Sequence, residues 1–418
     1  DGRITLGGFA SKEEYSGNAY DTSRNDFATA SARLFLHSAK VMSTYDDLVF
    51  DLRDKNDFFN KLDRERLELT EKNDFQVRHA AYTYGQKNSG FFGTAGRFPV
   101  LQAGSAYADG IALGYNLNSD LKTALFGGYN PKSDQRYYLA FDDKSQIYGA
   151  YLEYAPRSFS WHRRFYMTNS FSQETYNAQL DRSYIFHSSV YQWSENSLLS
   201  TLFYLDFVPR TYLQNSSINY SQGWNGNYTS TLAASNVDVI QYRRTQDIRE
   251  KLAPSAYKEA KIGIKQKFSG NSQWAITERQ GVREVDNLPR RVTTLGFDLP
   301  GLWAKRFDIY LQASQKFEFT KSGSFVKFGL GYFSDIWEFN FDLESGAEKQ
   351  TDGTTLHPMI FEATAGRQFS KRLFSVFSTQ MARDEQVNIS SVFFKISYRF
   401  GNKETPPLRD GATPRGHL

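Results

Sequence analysis

Cysteine is absent from the 418 residues of this sequence. Its absence excludes disulfide bonds, thiolate catalysis and cysteine-ligated metal sites, and it is compatible with an oxidising compartment. No run of about 18 apolar residues occurs, so no transmembrane helix is predicted. The net charge of +4 is not concentrated in a basic block or stripe. Nucleic acid is therefore not expected as a partner.

Aromatic residues, in contrast, are abundant: 35 Phe, 26 Tyr and 6 Trp make up 16% of the chain. The mean hydropathy is nevertheless −0.58, because apolar residues are interleaved with polar ones instead of forming runs of Leu, Ile and Val. The chain begins with DGRITLGGF, which is already strand-like. We interpret this start as the N-terminus of a mature, processed protein.

Apolar and polar residues alternate with a period of two along the chain, for example at residues 111–117, 148–154 and 337–343. This period indicates β-strands, and each stretch is about ten residues long, as a tilted strand that crosses a bilayer requires. In lipid, only a closed barrel leaves no backbone edge unpaired. The sequence therefore predicts an all-β fold, a transmembrane antiparallel β-barrel over residues 1–400, with about 20 strands in a range of 18 to 20.

The connections between these strands are of two alternating kinds. Tight turns at residues 118–120 and 195–197 contrast with longer polar segments at residues 11–26 and 54–74. This difference is typical of outer-membrane barrels. We therefore expect short periplasmic turns and longer extracellular loops.

The last strand, SSVFFKISYRF at residues 390–400, ends in Phe with Tyr at the third-last position. Its alternating apolar residues are Val392, Phe394, Ile396, Tyr398 and Phe400. The segment resembles the terminal strand of Gram-negative bacterial outer-membrane β-barrel proteins, which are porin-like. The resemblance implies an integral outer-membrane protein surrounded by lipid bilayer and lipopolysaccharide. It also implies that the barrel-insertion machinery recognises this strand during biogenesis.

Members of that family commonly end at the final Phe, whereas this chain continues to residue 418. The Pro, Gly and charge content of residues 401–418 predicts a disordered tail, and the strand count places it in the periplasm. The alternative is a segment that folds back into the lumen or docks a periplasmic or lumenal protein partner.

The polar members of the alternating strands are expected to face the lumen. The predicted pore-lining residues are Glu153, Lys261, Lys265, Lys327, Glu338, Asp342, Lys395 and Arg399. Charged rings set selectivity in pores, and the mixture of signs argues against a strong preference for anions or cations. An internal salt-bridge lattice is the alternative, and the two roles are compatible.

The longest connection is predicted at residues 211–255, and a loop of this length tends to be functional. Constriction of the lumen and an external cap are equally compatible with it. Its candidate contact residues are Trp224, Tyr228, Arg243 and Arg244. The two aromatic residues suit stacking on a sugar ring, although an ordinary surface hairpin is the simpler interpretation.

Catalytic and metal sites find no support in the sequence. The histidines form no metal-binding spacing, and no local arrangement suggests an activated nucleophile. The segment 51–74, dense in both signs of charge, predicts a solvated loop with a short helix, with divalent-ion bridging to lipopolysaccharide as the alternative. We therefore predict no enzyme, no metal and no cofactor.

The width of the predicted barrel decides the expected function. About 20 strands enclose an interior that side chains alone cannot fill. We expect a porin-like channel for small polar solutes. The alternative is a structural or export component of an outer-membrane complex whose barrel houses or anchors a partner, as in polysaccharide or protein secretion or in a surface assembly.

Overall fold

A computed structural model of the chain describes residues 1–15, 24–42, 46–58, 73–85, 90–104, 106–133, 136–137, 144–156, 164–238, 256–269 and 271–401. The strands are β1 (Gly2–Tyr15), β2 (Arg24–Ala39), β3 (Asp47–Asp57), β4 (Asn73–Tyr84), β5 (Gly90–Val100), β6 (Ala106–Asn116), β7 (Leu121–Tyr129), β8 (Lys132–Ser133), β9 (Arg136–Tyr137), β10 (Ser145–Tyr154), β11 (Phe165–Tyr176), β12 (Gln179–Ser194), β13 (Ser197–Val208), β14 (Tyr212–Trp224), β15 (Tyr228–Val237), β16 (Tyr257–Ser269), β17 (Ser272–Arg283), β18 (Pro289–Gly301), β19 (Phe307–Glu318), β20 (Lys321–Phe333), β21 (Trp337–Lys349), β22 (Thr355–Leu356), β23 (Met359–Gln368), β24 (Leu373–Arg383) and β25 (Val387–Phe400). Single helical turns lie at Leu101–Ala103 and Leu302–Lys305. None of the helices in these ranges is long and apolar enough to span a membrane.

The long strands form one antiparallel sheet that closes on itself. Its last strand, β25, pairs with β1 from Gly2 opposite Phe400 to Tyr15 opposite Val387. The two-residue strand β22 only extends the pairing of β21, so 22 strands form the wall. We call the rim that holds Gly2 and Phe400 the terminus rim, and the opposite one the loop rim.

The inner face of the wall is identified by contacts that cross the enclosed space. Tyr184 on β12 and Tyr204 on β13 donate hydrogen bonds to the segment between β5 and β6, which is not their neighbour in the sheet. Residues opposite one another in register share a face, and the face alternates along each strand. On the terminal strands, Thr5 and Ser397 accordingly share an inner-face hydrogen bond of 3.2 Å between their hydroxyl oxygens.

The outer face carries large exposed apolar side chains, as the alternation predicts. Examples are Leu6, Ile111, Leu113, Leu125, Leu232, Ile262, Val326 and Phe394. Near the terminus rim, Trp193 stacks on Tyr220 with ring centroids 5.5 Å apart, and Trp337 stacks on Phe339 at 5.2 Å. A closed sheet therefore presents an apolar, aromatic exterior.

The prediction of a long loop at residues 211–255 is wrong for its first part. Tyr212–Trp224 and Tyr228–Val237 are two wall strands, joined by a tight turn at the terminus rim. Their inner face is rich in Ser and Asn, so their alternation is weak and they resemble a loop in sequence. These two strands account for the difference between the predicted number and the 22 observed. Arg243 and Arg244 lie outside the described residues.

Several predicted loops are also shorter than expected, because the wall strands continue into charged sequence. Residues 51–57 belong to β3, and residues 11–15 and 24–26 belong to β1 and β2. The predicted short helix within residues 51–74 falls largely outside the described residues. The predicted tail does so as well, from residue 402 onwards.

Candidate functional site, a hairpin folded into the barrel

The tip of the β5–β6 hairpin, residues 97–109, leaves the wall. β4 pairs with β5 only from Ala80 opposite Arg97 down to Tyr84 opposite Gly93. β6 pairs with β7 only as far as Asp109 opposite Tyr129. Beyond those rows the two legs of the hairpin pair with each other alone, up to Val100 opposite Ala106. We call this segment the inner hairpin.

Two glycines allow the hairpin to turn inward at this height. Gly96 has a φ of +117°, and a side chain there would collide with the backbone oxygen of Ala80. At Gly110, a side chain would collide with the backbone oxygen of Gly127. Only glycine tolerates such close backbone approaches.

A buried ion pair ties the two legs together at the point of departure. The Nε and Nη2 atoms of Arg97 donate to the two carboxylate oxygens of Asp109, each at 2.5 Å. The Nη1 atom donates to the backbone oxygen of Val77 on β4 at 2.9 Å. The side chains are only 7% and 2% exposed. Bidentate geometry of this kind offsets much of the cost of burying two charges.

The tip of the inner hairpin docks on the inner face of β10 to β13. The Nε2 atom of Gln102 donates to Oε2 of Glu153 at 2.5 Å. The hydroxyl of Tyr184 donates to the backbone oxygen of Ala103 at 3.2 Å, and that of Tyr204 to the backbone oxygen of Gly104 at 3.0 Å. The two tyrosine hydrogen bonds satisfy backbone oxygens that a free loop would expose to water.

One face of the inner hairpin packs against the inner wall. Phe98, Val100 and Ala108 lie in a buried cluster with Phe126 and Ile147. Full burial of a side chain such as Phe or Val contributes about 1.5–3 kcal/mol. The main apolar core of the described residues is therefore located between this hairpin and the wall.

The opposite face of the inner hairpin looks towards β2 and β3. There Arg33 donates from Nε and Nη2 to the carboxylate of Asp51 at 2.6 Å and 2.5 Å. Tyr107 of the hairpin lies close enough to Arg33 to interact with its charge. The hairpin therefore lies inside the barrel, with one face packed on the wall and the other towards β2 and β3.

The two tyrosines that hold the tip are supported by a buried polar network. Arg182 lies 4.0 Å above the ring of Tyr184. It donates to Asp206 at 2.5 Å and to Gln214 at 3.2 Å, and Glu174 lies at 3.5 Å. A fully paired network of this kind rigidifies its surroundings.

The predicted pore-lining residues all fall on the inner face. Glu153 lies under the hairpin tip and pairs with Lys122 at 2.9 Å. Lys327 and Asp342 pair with each other at 3.6 Å. The others are Lys261 and Lys265, which alternate with the exposed Ile262 and Ile264, Glu338, which accepts from Asn340 at 3.0 Å, and Lys395 and Arg399, which lie opposite Gly7 and Arg3.

The terminal strand and the loop candidates are also located. Val392, Phe394 and Tyr398 are exposed on the outer face of β25, on which Ile396 and Phe400 also lie. Trp224 and Tyr228 flank the tight turn between β14 and β15. The sequence analysis missed the inner hairpin entirely, including Arg97, Asp109 and Gln102.

Comparisons with known proteins found no family model and no curated protein that match. Several solved structures are similar. OccAB4 of Acinetobacter baumannii has 8% identity and a TM-score of 0.49, with 95% of this chain and 97% of that chain covered. OccK2 (OpdF) of Pseudomonas aeruginosa has 10% identity and a TM-score of 0.47, with coverage of 95% and 96%. The translocation pore of the P pilus usher PapC has 9% identity and a TM-score of 0.42, with coverage of 96% and 100%.

Proposed function

We propose that the chain is an integral protein of the bacterial outer membrane and acts as a porin-like channel for small polar solutes. The observation that carries this proposal is the inner hairpin, which lies inside a closed wall of 22 strands and narrows its interior. An interior of that width is not filled by wall side chains. Because the hairpin is held at its tip, it narrows the interior without filling it. The remaining lumen is lined by charged side chains and suits the diffusion of hydrated solutes below a size limit.

The exterior supports the membrane part of the proposal. A closed sheet leaves no unpaired edge for lipid to meet, and its exposed outer side chains are largely apolar. In this arrangement lipid bilayer and lipopolysaccharide surround the wall, and the terminus rim and the tail face the periplasm. The outer residues of β25 would be the signal for the barrel-insertion machinery.

Single-channel conductance in planar bilayers tests the proposal. We compare the full chain with a variant in which residues 98–108 are replaced by two glycines. The full chain is expected to give a steady conductance, and the variant a larger one, because the hairpin no longer narrows the lumen. A matched control shortens an exposed turn of the loop rim by deleting residues 351–353, and its conductance is expected to equal that of the full chain.

Two outcomes would overturn the proposal. Equal conductance of the full chain and the hairpin variant would show that the inner hairpin does not restrict the lumen. Silence of every protein, each shown to be folded, would exclude an open channel. Co-purification of another chain with a silent barrel would favour the structural or export component instead.

A further inference from the structure

The lysines on two neighbouring parts of the inner face differ in their surroundings. On β19 and β20, each inward lysine has a carboxylate partner on β21. Lys316 lies 3.0 Å from Glu344, Lys321 lies 3.1 Å from Glu348, and Lys327 lies 3.6 Å from Asp342. The lysines in this part of the wall are therefore held in salt bridges and do not act as free cations.

In the middle of β16 and β17, three inward cations, Lys261, Lys265 and Arg279, lack such partners. Lys261 lies directly opposite Arg279 in the register, and Lys265 lies four residues away on the same face. In the described part of the chain, none of the three has a carboxylate at ion-pair distance. The acid beside them, Glu259, is bound to Arg290 at 3.0 Å. Like charges directly opposite one another destabilise a sheet, so stability does not explain this pair.

The space between the two lysines is small and has a hydroxyl group at one side. Gly263 lies midway between Lys261 and Lys265 on the inner face, with Thr231 and Thr277 opposite it on the two neighbouring strands. The hydroxyl of Thr231 and the methyl group of Thr277 approach the position that a side chain on Gly263 would take. The group therefore combines positive charges above and below with a hydroxyl at one side, and these groups can donate to an oxyanion.

We propose that Lys261, Lys265 and Arg279, with the hydroxyl of Thr231, form an anion-binding subsite on the channel wall, for the carboxylate or phosphate group of a solute. This inference rests on the proposed function, because the solute reaches the subsite through the lumen. It also leads to a different expectation for selectivity from the one that the mixed signs suggested. The lysines on β19 and β20 are paired with carboxylates on β21, whereas Lys261, Lys265 and Arg279 are not.

Reversal potentials across a bilayer with a KCl gradient test the subsite. The full chain is expected to prefer chloride, and the double variant Lys261→Gln/Arg279→Gln to lose this preference by about threefold or more. The variant should fold, because it removes a repulsive pair. The matched control Lys327→Gln/Asp342→Asn also removes two charges, but with no change in net charge, and its selectivity should equal that of the full chain.

Two probes distinguish the bound groups and do not depend on conduction. With the barrel in detergent, acetate is expected to give a saturation-transfer NMR signal, or inorganic phosphate a broadened ³¹P line, and the double variant should lose the effect. Unchanged selectivity and unchanged NMR signals in the variant would overturn the subsite. If no protein conducts, the channel proposal fails, and the NMR comparison alone decides the subsite.

Discussion

Two hairpins of this barrel behave in opposite ways. The β14–β15 hairpin is rich in Ser and Asn, yet it forms wall, with β14 paired to β13 and β15 paired to β16. The inner hairpin is rich in Ala and other apolar residues, yet it leaves the wall. The difference lies in what covers their faces. The inner hairpin buries one face against wall residues, and on its other face Asp109 neutralises Arg97. The β14–β15 hairpin requires only an apolar outer face to form part of the wall.

The largest expected effect comes from breaking the wall hairpin. Ala233 lies within β15 and has partners on both neighbouring strands. Ala233→Pro removes a backbone donor from an interior strand, where proline is not tolerated. We expect this variant not to fold into a barrel. On SDS gels it should lack the band that migrates differently before and after heating, which is the mark of a folded barrel.

Ala233→Val is the matched control, because it keeps the backbone donor and favours a strand. The variant without residues 98–108 should also form the barrel, since those residues pair with neither β4 nor β7. Barrel formation by Ala233→Pro, or failure of the hairpin deletion, would contradict the distinction between the two hairpins.

A smaller effect is expected from removing one partner of the buried ion pair. Asp109→Ala leaves Arg97 buried without its carboxylate, at a cost of about 3–5 kcal/mol. Since the pair ties the two legs of the inner hairpin together, we expect a noisier and larger single-channel current. The double variant Arg97→Met/Asp109→Leu should restore a quiet current, because it leaves no unpaired charge.

An exposed pair provides the control for this variant. Asp286 lies in the turn after β17, and the guanidinium of Arg283 holds the pKa of its carboxyl below the usual value. Asp286→Ala should leave the current unchanged, because solvent compensates for the loss of an exposed pair. A current as noisy in Asp286→Ala as in Asp109→Ala would mean that burial of the Arg97 pair is not what matters.

The wall strands were predictable, because outward apolar residues must alternate with inward polar ones along each strand. Residues 337–343 and 390–400 lie in β21 and β25 as the period of two indicated. On β16, the alternation of Lys261 with Ile262 was sufficient to assign both faces. A strand with one apolar face must have an apolar residue at every second position. This pattern can be recognised in one strand without knowledge of its neighbours.

The inner hairpin was not predictable in the same way, because long-range contacts cover both of its faces. Two signals in its sequence point to it in retrospect. Pro99 cannot donate a ladder hydrogen bond, so it marks an edge, and β5 has no partner on β4 at that position. Gly96 and Gly110 bracket the point where the legs leave the wall. The docking site on Tyr184 and Tyr204 depends on strands about 80 to 100 residues away.

The smallest expected effect concerns Trp224, a sugar-stacking candidate from the sequence. The structure places it at the tight turn of the wall hairpin, 56% exposed, with its Nε1 atom donating to Ser230 at 3.0 Å. Trp224→Ala should leave the conductance unchanged and cost about 1 kcal/mol or less. Trp303→Ala, at another exposed aromatic residue of the terminus rim, is the matched control. If maltose blocked the current of the full chain and of Trp303→Ala but not that of Trp224→Ala, the turn would be a sugar contact, and this hairpin would be more than wall.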